Sequence, residues 1–149
     1  MDHHDGDGEL PGLERQLVIL ARRFRANAER FHPELTLVGY SLLTEMAERD
    51  GVRAGDLTGL YGLNKSTISR QVADLHRAGL VVRDRDPANS RVQLLRISDR
   101  GRELLALAAT RLHREVAART HGWTPEEVAT LHRLLGRYNA SPAAPDDDA

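Results

Sequence analysis

Cysteine is absent from the 149 residues, which excludes a disulfide scaffold, a thiolate metal site, a cysteine nucleophile and thiol oxidation as a signal. Lysine is almost absent: of 21 basic residues only Lys65 is not arginine. Genome composition produces such a bias, and arginine also suits bidentate contacts to guanine and phosphate. The chain has no run of eighteen apolar residues, and Met1-Asp2-His3-His4-Asp5 lacks the basic and apolar regions of a secretion signal. A soluble, cytoplasmic protein without membrane contact is expected. Apolar residues make up 40% of the chain, enough for one modest core.

The formal net charge of −1 conceals an uneven distribution. Asp2, Asp5, Asp7, Glu9, Asp146, Asp147 and Asp148 lie in two short segments without Lys or Arg. Setting those seven aside leaves 15 acidic against 21 basic groups, a body of charge +6. A basic body permits polyanion binding without requiring it.

Residues 1–9 and 141–149 are rich in Asp, Gly, Pro and Ala and read as disordered acidic tails. A first helix, within an N-terminal segment 10–34, is marked by a stripe of Leu13, Leu17, Leu20, Phe24 and Phe31, and Pro33 ends it. A second helix from about Thr36 to Arg49 would bury Leu42, Leu43 and Met46, with Asp50-Gly51 as its stop. A two-turn helix over Ala54–Tyr61 follows, then a turn at Gly62-Leu63-Asn64 and a helix from Lys65 to about Ala78, closed by Gly79. Asn64 is placed to cap that helix, and Gly62 supplies the left-handed backbone of a tight turn. The period then changes to that of strands over Leu80–Arg85 and Val92–Ile97, joined by an exposed tip at Asp86–Ser90. Segment 98–140 holds two more helices. One is capped by Ser98, carries Leu104, Leu105, Leu112 and Val116 on one side, and ends near His121-Gly122; the other starts at Thr124-Pro125 with Glu127 completing a capping box, and carries Val128, Leu131, Leu135 and Tyr138. No internal repeat is visible.

Two short helices joined by a tight turn, then a hairpin, is the order of a winged helix-turn-helix, whose second helix enters the major groove. At about 100° per residue, Ile68, Val72 and Leu75 form one buried side of that helix. The opposite side presents Ser66, Arg70, Ala73 and Arg77, flanked by Thr67 and Ser69, with Lys65 at the helix start. Arginine grips guanine, hydroxyls meet bases or phosphates, and small residues let the backbone approach. Arg83, Arg85 and Arg91 flank the hairpin as candidate minor-groove or phosphate cations, with Asp86 or Asp84 placed to hold one of them. The expected fold is therefore mainly α with a small β-hairpin wing: a winged helix-turn-helix over residues 35–97 with N- and C-terminal dimerisation helices. That body cannot cover the terminal stripes unaided, so Leu13, Leu17, Leu20, Leu112, Val116, Val128, Leu131 and Leu135 are assigned to a homodimer interface. Packing of those helices on their own body is the alternative.

At these residues the sequence resembles the MarR family of transcription regulators. Leu63-Asn64-Lys65-Ser66-Thr67-Ile68-Ser69-Arg70 is similar to the family's recognition-helix entry, and Leu75-His76-Arg77-Ala78-Gly79-Leu80-Val81 to its helix-to-strand junction. Asp86-Pro87-Ala88-Asn89-Ser90-Arg91 followed by Ile97-Ser98-Asp99-Arg100-Gly101 resembles its wing and the start of its long helix. The resemblance covers nearly all of residues 10–140. It implies a homodimer with interlocking terminal helices, two recognition helices on a palindromic operator, and a ligand-responsive repressor. It also implies a small effector in a cleft between the dimerisation helices and the DNA-binding body, near which Arg25, His32 and Tyr40 would lie. Where Asn89 stands the family usually has an acid, so any carboxylate partner of Arg91 must be Asp86, or an amide contact must replace it.

Other chemistry finds less support. His113, His121 and His132 lack the spacing of a helical metal site, so neither metal nor cofactor is expected. Gly39-Tyr40-Ser41-Leu42-Leu43 lacks the second glycine and preceding strand of a nucleophile elbow, and no enzyme is expected. The rival reading is a winged helix used for sequence-independent DNA packaging or for protein contacts.

Overall fold

In the computed structural model the described residues are 8–31, 35–49, 51–58 and 62–141, with the side chains of 27–31 left aside. Most of both tails, Pro33, the turn residue Asp50 and the far end of the expected Ala54–Tyr61 helix fall outside them. The elements run α1 (Leu10–Phe31), α2 (Leu37–Glu48), β1 (Val52–Arg53), a 3-10 turn (Ala54–Leu57), α3 (Lys65–Arg77), β2 (Val81–Asp86), β3 (Asn89–Ile97), α4 (Asp99–Arg119) and α5 (Pro125–Ala140). They fall into two compact units, residues 1–112 and 113–149.

The first unit is organised by one apolar cluster. Leu42, Leu43 and Met46 of α2, Ile68, Val72 and Leu75 of α3, Val52, Val81, Leu95 and Ile97 of the sheet, and Leu104 and Ala108 of α4 are all buried in it. Each helix contributes one stripe at helical spacing and each strand one face, so burial and periodicity agree. Thr36 starts α2 by accepting the Gly39 amide at 3.0 Å. Gly39 carries no side chain where α2 meets α3; a Cβ there would stand 3.4 Å from Leu75 Cδ2 and 3.2 Å from Leu35 Cδ1.

The sheet is three-stranded and antiparallel in the order β1-β3-β2. The expected hairpin thus has a third partner, the two-residue β1, with Val52 opposite Leu95 and Arg53 opposite Leu94. Both wing strands also run closer to the tip than expected, leaving Pro87-Ala88 as the turn. The two-turn helix expected from Ala54 is, in its described part, a single 3-10 turn that buries Leu57.

The junction into α4 is tightly built. Leu80 N donates to Leu75 O at 2.9 Å, Ser98 N to Leu80 O at 3.0 Å, and Gly79 has φ of +72°. Ser98 Oγ accepts the Gly101 amide at 3.0 Å and donates to Gly79 O at 2.7 Å. At Gly101 a Cβ would lie 2.3 Å from the Leu80 carbonyl oxygen, a separation no side chain tolerates.

The second unit contains α5. Thr124 and Glu127 form the reciprocal capping box, with Pro125 at the first turn. Glu127 N donates to Thr124 Oγ1 at 3.2 Å and Thr124 N to Glu127 Oε2 at 2.7 Å. No residue of α5 is buried. Among the described residues no helix is long and apolar enough to cross a membrane.

Candidate nucleic-acid interface

The helix α3 is set by its ends. Asn64 Oδ1 accepts the Thr67 amide at 2.8 Å and the Ser66 hydroxyl at 2.8 Å, satisfying one of the four amides a helix start leaves unpaired. Gly62, at φ of +63°, turns the chain into this cap. At the far end the Ala78 amide closes on Asp74 O, and His76 Nδ1 lies 2.9 Å from the Val81 carbonyl oxygen, tying the helix to β2.

With Ile68, Val72 and Leu75 fixed in the core, the opposite face is determined. Lys65, Ser66, Ser69, Arg70 and Arg77 are exposed, and Thr67 and Ala73 are half-buried. Of the seven residues proposed from the sequence, five are thus exposed and two partly so. Their side chains differ in commitment. Arg77 Nη1 holds Asp74 at 2.9 Å, whereas Arg70 has no ion pair or side-chain hydrogen bond among the described residues. Gln71 Oε1 accepts the Thr36 hydroxyl at 2.7 Å, linking α3 to the start of α2.

In the wing, Arg83 lies opposite Leu95 and Arg85 opposite Gln93. Alternation puts Arg83 and Arg85 on one face and Asp84 on the other, with Leu94, Arg96 and Arg53. That separation corrects the expected partners. Asp86 binds Arg53 at 2.7 Å, and Asp84 faces Arg96 at 3.6 Å, so neither acid holds Arg83, Arg85 or Arg91. Among the described residues Arg91 has no acidic partner and keeps an amide contact, its backbone N–H donating to Asn89 Oδ1 at 3.1 Å. Asp86 is 8% exposed, and its carboxyl is held below the ordinary value by the Ala88 amide and by Arg53. Arg53 carries no periodic signal, because a two-residue strand is too short to show alternation; nothing in the local sequence marks it.

The residues assigned to dimerisation lie on two sets of helices. On α1, Leu13 and Leu20 are exposed and Leu17 is half-buried; no residue from 10 to 26 is buried. On α4, Leu112 is half-buried and Val116 exposed, and on α5 Val128 and Leu131 are exposed and Leu135 half-buried. Leu134, Trp123 and Tyr138 are also exposed, Tyr138 by 55%. Trp123, Leu131 and Leu134 line an open groove of about 430 Å³ together with Glu126, Glu127 and Thr130. Of the effector candidates, Arg25 is exposed on α1, Tyr40 is half-buried against the core, and His32 lies outside the described residues. No hydrogen bond or ion pair joins Arg25 to Tyr40. Among the described residues no three His, Asp or Glu side chains gather as metal ligands would.

Residues 35–92 match the model of the MarR family. The HTH-type transcriptional regulator YxaD of Bacillus subtilis (strain 168) is 29% identical over 129 residues, covering 85% of this chain and 90% of that protein. A MarR-family regulator from Rhodococcus sp. RHA1 superposes with a TM-score of 0.77 at 22% identity, over 95% of this chain and all of that one. The PcaV transcriptional regulator of Streptomyces coelicolor, solved in complex with its natural ligand, gives a TM-score of 0.65 at 25% identity over 93% and 94% of the two chains. Residues 35–92 are thus similar to the MarR family of transcription regulators, and the chain shares the winged-helix fold of solved MarR-family regulators along nearly its whole length.

Proposed function

We propose that the protein is a sequence-specific, ligand-responsive repressor that binds a palindromic operator as a homodimer. The observation that carries specificity is the outward face of α3. Arg70 stands exposed, without an acidic partner among the described residues, between small and hydroxyl-bearing neighbours, the chemistry that reads guanine and lets the helix backbone approach the base edges. Lys65 and the wing residues Arg83, Arg85 and Arg91 supply phosphate or minor-groove contacts, which position the protein without reading sequence.

Residues 10–34 and 98–140 form the dimer around the DNA-binding segment 35–97. Support comes from the exposed apolar side chains of α1, α4 and α5, among them Leu13, Leu20, Val116, Val128, Leu131 and Leu134, since apolar surface left to water marks interaction sites where it is contiguous. Charge complements this: α1 carries Arg15, Arg22, Arg23 and Arg25, whereas the groove on α5 is edged by Glu126 and Glu127. A two-fold dimer sets its half-sites about one helical turn, roughly 10 bp, apart. Ligand response takes its support from the ligand-bound PcaV complex, and Arg25, His32 and Tyr40 are the residues we assign to the effector. An effector favouring the DNA-incompetent state a hundredfold shifts the balance by about 2.7 kcal/mol.

Selection from random duplexes, repeated at two salt concentrations, tests this reading. A palindromic motif with half-sites one turn apart is expected. Enrichment without a motif that falls steeply with salt would indicate sequence-independent packaging, and absence of binding at both salts would make this surface a protein-contact site.

A further inference from the structure

Asp86 divides its two carboxylate oxygens between two tasks. Oδ1 accepts the Ala88 amide at 2.9 Å and so closes the hairpin tip, while Oδ2 takes Arg53 Nη2 at 2.7 Å. Arg53 belongs to β1 and Asp86 to β2, and β3 lies between those strands. The ion pair therefore reaches across the central strand, joining the two outer ones.

Its place along the sheet matters. From Val81 to Arg85 the ladder is regular, but the register breaks between Arg85 and Asp86, so that Asp86 faces Asn89. An irregularity of this kind bends a strand and frees the segment beyond it from the ladder's direction. The tip segment of the hairpin thus hangs on Asp86, and Asp86 is tied to β1, whose Val52 is buried opposite Leu95.

We propose that Arg53 is a positioning residue for DNA binding: its ion pair with Asp86, made across β3, fixes the direction of the wing and keeps the Asp86 carboxylate away from the wing arginines. The proposal rests on the reading of the wing as a DNA contact. Arg53 and Arg96 occupy the two wing acids, and Arg83, Arg85 and Arg91 have no acidic partner among the described residues. Without Arg53, Asp86 stands at the tip as a carboxylate with cations one and five residues away in Arg85 and Arg91. It then competes with phosphate for them, and the tip loses its fixed point. Arginine suits the task because its rigid, planar guanidinium gives the single Nη2–Oδ2 contact a fixed direction, which a rotating ammonium does not.

The test is hydroxyl-radical and methylation footprinting of the full-length protein on its selected duplex, with a salt titration, for wild type, R53A, R53K, D86N, R91A and the R53A/R91A pair. R53A and D86N should each abolish the backbone protection flanking the α3 site and lower the salt slope by about 0.9 for each phosphate the wing no longer neutralises. Major-groove protection under α3 and cooperative melting should persist. R53K should restore part of the flanking protection, and R53A should weaken R91A by less than about twofold, because the wing already lacks the phosphate grip that Arg53 orients. If R53A weakens binding while D86N binds as wild type or more tightly, Arg53 touches phosphate directly and the proposal is wrong. Unchanged flanking protection and slope in R53A would overturn it as well. If wild type itself shows no flanking protection and R91A binds as wild type does, the wing does not meet DNA; the reading beneath the proposal then fails, a result separable from failure of Arg53 alone.

Discussion

Arg70 and Arg77 stand two turns apart on the outward face of α3, but only Arg77 is committed to an acid, Asp74. That difference makes Arg70 the better reader of a base edge, since engaging guanine costs it no ion pair. Replacing Arg70 with Ala should weaken binding to the operator by about 1–3 kcal/mol and relax base choice at one position of each half-site, measured by titrating single-substituted duplexes. Unchanged base preference would remove Arg70 from direct readout. Asp86 gives a second residue-scale prediction, on stability. Its folded-state carboxyl is held below the ordinary 3.8 by the Ala88 amide and Arg53, so folding favours the charged form. The stabilisation is complete above 3.8 and is lost as the pH falls through the lowered value. D86N should therefore melt below wild type at neutral pH, with the gap closing on acidification. A gap independent of pH would contradict that origin.

At the scale of elements, α3 was legible because burial, capping and period all act within one short stretch. Asn64, Gly62 and the Ile68-Val72-Leu75 stripe each mark the same helix, and each occupies the expected place. The wing was legible as strands and not as an electrostatic network. Sequence proximity suggested Asp86 for Arg91, but alternation on the sheet sends Asp84 to the opposite face from Arg83 and Arg85, and Asp86 is taken by a residue 33 positions earlier. A pairing of that range leaves no trace in local periodicity. Replacing Arg91 with Ala should lower affinity on most sequences and reduce the salt slope by about one unit; an unaltered slope would detach Arg91 from the DNA backbone. The junction of α3, β2 and α4 offers a different test. Gly101→Ala forces a methyl against the Leu80 carbonyl and Ile97, and should destabilise the fold by about 1–3 kcal/mol in urea melts. Wild-type stability would mean the junction relaxes freely.

For the whole molecule, what remains exposed is as informative as what is buried. The stripes on α1 and α5 follow helical spacing, so their existence is readable in the sequence; which members stay exposed is not, because a periodic pattern does not say what packs against it. Leu134 and Trp123 stand outside the expected stripe for that reason, and Leu135, one of its members, is half-buried while Leu134 is 46% exposed. If a second copy covers this surface, Leu131→Asp should yield a monomer by sedimentation while the separate core of residues 35–108 still melts cooperatively. A dimer that survives the substitution would place the interface elsewhere.

A dimer with two recognition helices gains affinity from simultaneous engagement. The most direct measurement compares dissociation constants for the full selected palindrome and for a duplex of equal length in which one half-site is scrambled, at one salt concentration, with the protein-to-duplex ratio read in parallel. Two protomers per duplex and binding to the palindrome tighter by about 10²–10⁴-fold are expected. Equal affinity for the two duplexes, or one protomer per duplex, would contradict such a dimer.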